Sequence, residues 1–264
     1  MTATRGQYNE GIPGLYTQGL DEISSTKKHK LGTVRWTDDG RKFVYALNGA
    51  ADTTAGMLMS VAQTPIDCTV AAADALVNLA MSKTMSLTAA GVTANSHQDG
   101  YAIVKATPDI GRLYKISGNT ATDNPATGRA YFYLYNEITT LHTTGTTVAI
   151  HKNPYTSLIV NPAVADENAT TEETVMGMAT KIVTAAYYFW LQTWGLANLV
   201  LDVAAAAGNE ANERVIVAGP TAGRGGIVIA LETNFFWNTQ IIGYPLEKID
   251  LTNSEGNLVM LTIS

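Results

Sequence analysis

The stretch Leu31-Gly32-Thr33-Val34-Arg35-Trp36-Thr37-Asp38-Asp39-Gly40-Arg41-Lys42-Phe43-Val44-Tyr45-Ala46-Leu47 carries the clearest fold signal in the chain. Two runs rich in β-branched and aromatic residues flank an Asp-Gly pair. Asp39-Gly40 has the chemistry to adopt the two positive φ angles of a type I′ hairpin turn. A two-residue turn there sets Trp36 opposite Phe43 and Val34 opposite Tyr45. One face of the hairpin is then aromatic and β-branched, and the other carries Arg35, Thr37 and Lys42.

Downstream the pattern stays short-ranged. Met57–Val61, Asp67–Ala72, Thr84–Thr88, Tyr101–Lys105, Leu113–Ser117, Arg129–Tyr135, Thr147–His151 and Leu158–Val160 read as strands, separated by Gly-, Asn-, Asp- and Pro-rich breaks. Val70–Met81 is Ala-rich and competes as a helix. Residues 161–180 read as a polar connector. Its Asp166-Glu167 and Glu172-Glu173 could attract a hard cation, but they lack the alternating Asp/Asn spacing and loop glycine of an EF-hand, so a solvated acidic loop is favoured. Strand patterns resume over 181–264, at Leu199–Ala205, Arg214–Ala218, Gly226–Ala230, Ile241–Pro245 and Leu258–Ile263. The most aromatic segment is Ala185–Gly195. As a strand it presents Tyr187, Phe189 and Leu191 on one face and Tyr188, Trp190 and Trp194 on the other, which calls for burial on both sides. The expectation is an all-β protein, a sandwich or barrel of short antiparallel strands. Its body spans 31–160, and a C-terminal region, 181–264, packs on that body.

Upstream of the hairpin, Gly6, Gly11, Pro13, Gly14 and Gly19 break any helix, yet Tyr8, Ile12, Leu15, Tyr16, Leu20 and Ile23 run through the same stretch. Residues 1–30 therefore read as an extended arm that orders by lying on its own body or on a neighbour. Lys27-Lys28-His29-Lys30 reads as a solvated hinge.

Composition narrows the function. Hydrophobic residues make up 46% and charged residues 15% of the 264, and Lys+Arg 17 against Asp+Glu 23 gives a net charge of −6. That balance excludes nucleic-acid binding through bulk positive charge, and low charge with many small residues points to a surface partly covered by protein. The opening residues lack the apolar core of a signal peptide, and no apolar run reaches the roughly 20 residues of a membrane span. The expected product is soluble and cytosolic in origin. One cysteine, Cys68, excludes an internal disulfide framework and reads as a buried thiol. No G-x-S-x-G elbow occurs. Gly219–Gly226 lacks the Gly-Lys-Ser/Thr close of a phosphate loop and reads as a hairpin loop. His29, His97, His142 and His151 form no H-x-x-H pair. No enzymatic activity, cofactor or metal is expected.

The hairpin Leu31–Ala46, with the later blocks His151-Lys152-Asn153-Pro154-Tyr155, Ala186-Tyr187-Tyr188-Phe189-Trp190-Leu191-Gln192-Thr193 and Ile241-Ile242-Gly243, resembles the cement (decoration) proteins of tailed-bacteriophage capsids, including those of cyanophages. The resemblance implies a homotrimer at local three-fold axes, on the outer surface of the virion, clamping the major capsid protein. On that reading Tyr8, Ile12, Leu15 and Tyr16 dock the arm on the capsid, while Tyr187, Tyr188, Phe189, Trp190 and Trp194 pack the core and the subunits. Two other readings compete. One is a tail or adhesin-like β protein that binds carbohydrate through Trp194 or Trp237, and the other is a small all-β hydrolase with a dispersed site.

Overall fold

A computed structural model describes residues 16–61, 64–70, 81–107, 109–123, 128–162, 173–201, 214–219, 221–229, 240–246 and 256–263. Among these the protein is all-β, with sixteen strands and no helix. Contacts divide the chain into two units, 63–154 and the flanking 1–62 with 155–264. The expected segments do not coincide with these units. Residues 31–62 and 155–160 belong with the C-terminal strands, and Val175–Ala179, expected within a connector, is a strand. The helical alternative at Val70–Met81 falls mostly outside the described residues, as do 166–172 of the acidic cluster.

The inserted unit is a closed six-stranded barrel. Its strands are β4 (Ile66–Thr69), β5 (Thr84–Thr88), β6 (Tyr101–Val104), β7 (Leu113–Asn119), β8 (Arg129–Leu134) and β9 (Thr147–His151), in the order β4-β5-β8-β7-β6-β9 with antiparallel neighbours. Closure removes the sheet edges that would otherwise template aggregation. Alternate residues turn inward, so Met85, Leu87, Ile116, Phe132 and Ile150 form one core, and Cys68 joins it at 1% exposure. Burial pushes the Cys68 thiol up to about 12.

The other unit is a curled ten-stranded sheet. It comprises β1 (Val34–Trp36), β2 (Lys42–Leu47), β3 (Met57–Ser60), β10 (Ile159–Val160), β11 (Val175–Ala179), β12 (Tyr188–Val200), β13 (Arg214–Ala218), β14 (Gly225–Ile229), β15 (Gly243–Pro245) and β16 (Gly256–Thr262). The main path runs β10-β3-β11-β12-β16-β15-β13-β14, and β2 adds to β12 with β1 beyond it. Strand β12 organises the sheet. Residues Tyr188–Trp194 pair with β2 and Trp194–Val200 pair with β16. Its aromatic half is buried on both faces, as its composition demands. Phe189 and Leu191 pack with Ala46, Met59 and Ala179, whereas Trp190 packs with Tyr45, Phe43 and Leu31. Gly219–Gly226 does join two antiparallel strands, β13 and β14.

The first hairpin forms where expected, but one residue out of register. Trp36 pairs with Lys42, Arg35 with Phe43 and Val34 with Val44. Only Gly40 in the turn has positive φ, and its N–H bonds back to the Thr37 carbonyl at 3.0 Å. The loop therefore has three residues and ends on a glycine bulge, instead of the two-residue I′ turn. Side chains cause the difference. Thr37 Oγ1 donates to Asp39 Oδ1 and accepts from the Arg41 N–H at 3.2 Å, and Arg41 Nε grips Asp39 Oδ2 at 2.7 Å. A one-residue slip exchanges the faces. Arg35 and Thr37 are buried, while Val34 and Trp36 are exposed.

The described part of the N-terminal segment, from Tyr16, lies on its own unit. Gln18 is fully buried and acts as a latch. Its Oε1 accepts from the Tyr45 hydroxyl at 2.7 Å, and its Nε2 donates to the carbonyls of Glu22 (2.9 Å) and Tyr188 (3.0 Å). Its own carbonyl accepts from Arg35 Nη1 and from the Trp190 indole, both at 3.1 Å. His29, expected in a solvated hinge, instead packs edge-on or tilted among Tyr16, Tyr45 and Trp190 at centroid distances of 5.8, 5.1 and 5.4 Å. Burial, followed by the nearby Arg35 charge, lowers its pKa. The aromatic surface around Trp190 needs covering, and the imidazole covers it.

Candidate interaction surface

One face of the curled sheet carries large apolar side chains into solvent. The register builds this face row by row, because directly paired residues point to the same side. In the first row Trp36 pairs with Lys42, Lys42 with Trp194, and Trp194 with Thr262. Leu196, Met260 and Tyr244 make the second row, and Asn198 with Leu258 the third. Leu246 adjoins the third row through its N–H to the Leu258 carbonyl at 3.0 Å. Exposure is 54% at Trp36, 37% at Trp194, 46% at Leu196 and Tyr244, 50% at Leu246 and 43% at Leu258. Monomers rarely leave so many large apolar side chains on one contiguous face.

A kink in β12 creates this exposure. The register of β12 shifts between Gln192 and Trp194, and Gly195 follows with φ +90°. A side chain at Gly195 would meet the Arg41 backbone at 2.9 Å, so glycine is required there by both conformation and space. Beyond the kink Ala197 and Leu199 turn into the core and Trp194 and Leu196 turn out.

A cleft of about 590 Å³ borders the face, lined among others by Asp39, Arg41, Gly56, Gln192, Asn198 and Leu258. Burial would raise the Asp39 carboxyl. Hydrogen bonds from Thr37 and Arg41, with the Arg41 charge, outweigh it and hold Asp39 below the usual carboxylate range. Asp39 and Arg41 are thus already committed to each other, and the cleft is a groove between the hairpin turn and β12.

The barrel contains two polar clusters. In the first, Asp109 Oδ2 accepts from Tyr114 Oη at 2.6 Å and from Thr139 Oγ1 at 3.2 Å, and His142 Nε2 lies 3.5 Å away. Burial would raise the Asp109 carboxyl, but these three groups lower it overall. Burial lowers the His142 pKa against the opposing pull of Asp109. His142 is sealed from solvent and two hydroxyls already occupy the carboxylate. The cluster fastens the β6–β7 turn to the 138–142 loop. In the second cluster the His97 N–H donates to Asn119 Oδ1 at 2.9 Å. Its Nδ1 lies 3.0 Å from Ser96 Oγ, and its ring meets Phe132 edge to face. Burial, then Lys152, lowers the His97 pKa to about 4.

The residues singled out from sequence are scattered. Tyr8, Ile12, Leu15 and Trp237 lie outside the described residues. Tyr16 is half-buried, with its hydroxyl donating to the Val34 carbonyl at 2.9 Å and its ring against Trp190. Phe189 and Trp190 are core, and Tyr187 and Tyr188 are half-buried beside them. Of the six that are described, Trp194 alone stands on the exposed face. Trp36, Leu196, Tyr244, Leu246, Leu258 and Met260, which complete the face, are not among the residues singled out. The signal was present in the period-2 runs Trp194-Leu196-Asn198 and Leu258-Met260-Thr262, but assigning them to the solvent side requires knowing which face the core occupies. No family model, curated protein or solved structure matches the chain.

Proposed function

We propose that the protein is a structural virion component, a capsid cement protein that self-associates as a trimer and clamps the major capsid protein lattice. The apolar sheet face from β1 to β15 carries this reading. Self-association acts through contact area, and stable contacts bury about 800 Å² on each partner, with aromatic anchors at the centre. The closed barrel and the latched N-terminal segment suit a part that must hold its shape under load. The resemblance of the hairpin and aromatic blocks to cement proteins supplies the identity of the lattice.

Co-sedimentation with expanded icosahedral shells of the major capsid protein tests the reading. Saturable binding in threes at local three-fold positions is the expected result, and absence of binding to intact shells refutes it. A second reading draws on the exposed indoles of Trp36 and Trp194, which could stack on sugar rings as in a carbohydrate-binding module. Quenching of tryptophan emission by soluble oligosaccharides, with no shell binding, would establish it instead.

A further inference from the structure

We propose that the face formed by β1, β2, β12, β16 and β15 is the contact between copies of this chain, with the unlike halves of neighbouring copies set against each other. The proposal deepens the cement reading and rests on its self-association, not on the capsid partner.

Area comes first. A large side chain offers on the order of 150–250 Å². The exposed fractions of Trp36, Trp194, Leu196, Tyr244, Leu246 and Leu258 therefore sum to roughly 400–700 Å². With half-exposed Met260 and the polar margin of Lys42, Asn198 and Thr262, the face approaches the ~800 Å² that each partner of a stable complex contributes. Water-exposed apolar area on this scale is what association removes.

The face also has two unlike halves. On the β1–β2 side, Trp36, Lys42 and Trp194 form a cationic, indole-rich half, with Lys42 Nζ 6.0 Å from the Trp36 ring centroid. On the β16–β15 side, Leu196, Leu258, Met260, Leu246 and Tyr244 form an aliphatic half that presents a phenol ring. Indole against aliphatic surface, with Lys42 over the Tyr244 ring, joins unlike halves of neighbouring copies. A ring that closes at three copies meets this condition, and so does a two-fold pair in which each residue meets its counterpart's partner; the cement reading calls for the ring.

Light scattering on the full chain tests the face. Wild type is expected at three times the 28.1 kDa protomer mass. The double variant Leu196→Lys, Leu258→Lys is expected at one protomer, with its circular dichroism unchanged. Ile182→Lys, 67% exposed and outside the three rows of the face, is expected to keep the wild-type mass. If the double variant keeps the wild-type mass, the face is wrong and self-association stands. A wild-type monomer overturns the face and the trimer together.

Oxidative cross-linking gives a measurement independent of the lysine variants' folding. Cys68 is buried, so introduced thiols are the reactive ones. The double variant Trp36→Cys, Leu246→Cys is expected to give a covalent ladder ending at the trimer, and either single variant none. Cross-linked dimers from a single variant, or no cross-link from the double, overturn the pairing of unlike halves, and a ladder that stops at the dimer overturns the ring.

Discussion

His97 makes the stability of the barrel depend on pH between 6.5 and 4. The imidazole is 2% exposed, packed on Phe132 and near Lys152, and its pKa falls from 6.5 to about 4. When the barrel unfolds the ring regains its ordinary pKa. Between those values the unfolded chain therefore binds a proton that the folded chain refuses, so stability falls as pH falls. Linkage gives a loss of about 2 kcal/mol between pH 7 and pH 5, and about 3 kcal/mol by pH 4. All four tryptophans lie outside 63–154, so this unit has no indole of its own to report its unfolding. Hydrogen exchange of the most protected amides in β5 and β8 is the suitable assay, performed at pH 7 and 5 with correction for intrinsic rates. His97→Asn retains a polar atom near Ser96 without a titrating ring, and is expected to lose most of the pH dependence. His142 stays in place in both proteins, so the difference between them isolates His97. An equal slope in wild type and His97→Asn would refute the assignment, as would an imidazole that titrates near 6.5 by NMR in the folded protein.

Three further outcomes are expected. Trp190→Ala removes the largest fully buried side chain among the described residues and one of the two donors to the Gln18 carbonyl, and should cost about 3–5 kcal/mol in urea unfolding followed by circular dichroism. Gly243→Ala places a Cβ 2.1 Å from the Met260 carbonyl oxygen and should break the β15–β16 pairing, lowering Tm well beyond the effect at Gly40. Gly40→Ala meets nothing within 4 Å and carries only the strain of φ +81°, about 1–2 kcal/mol. Cys68, with its thiol pushed up to about 12 and 1% exposed, should resist thiol reagents in native buffer at pH 8 and react within minutes in urea.

Strand positions were legible because each short β-branched or aromatic run is bounded by glycine, proline or asparagine. Thr84–Thr88, Thr147–His151 and Arg214–Ala218 fall where the pattern places them. Register was not legible at the first hairpin. The Asp-Gly signal is shared by two-residue and three-residue loops, and the choice was made by Thr37, Asp39 and Arg41 binding one another. The burial of Arg35 was hidden for a related reason. Its guanidinium lies 4.9 Å from the Tyr16 ring centroid and 5.7 Å from that of Trp190, two rings from distant segments. Alternation alone assigns a charged residue to solvent. The candidate surface was half visible, since Trp194 was marked for its aromaticity. Its partners needed the cross-strand pairing of β12, β16 and β15, which depends on long-range topology.

Strands β3 and β10 pair antiparallel, with Ser60 beside Ile159 and Met59 beside Val160. The chain thus leaves the curled sheet and returns to it on adjacent strands, and the whole of 63–154 hangs from what would otherwise be a β-hairpin. Excision of that cassette, with a short Asn-Gly turn to rejoin the ends, leaves every pairing of the ten-stranded sheet available. The same junction accepts a foreign module whose termini lie close together. The insertion thus separates, along the chain, the strands that carry the exposed apolar face from the barrel that can be exchanged.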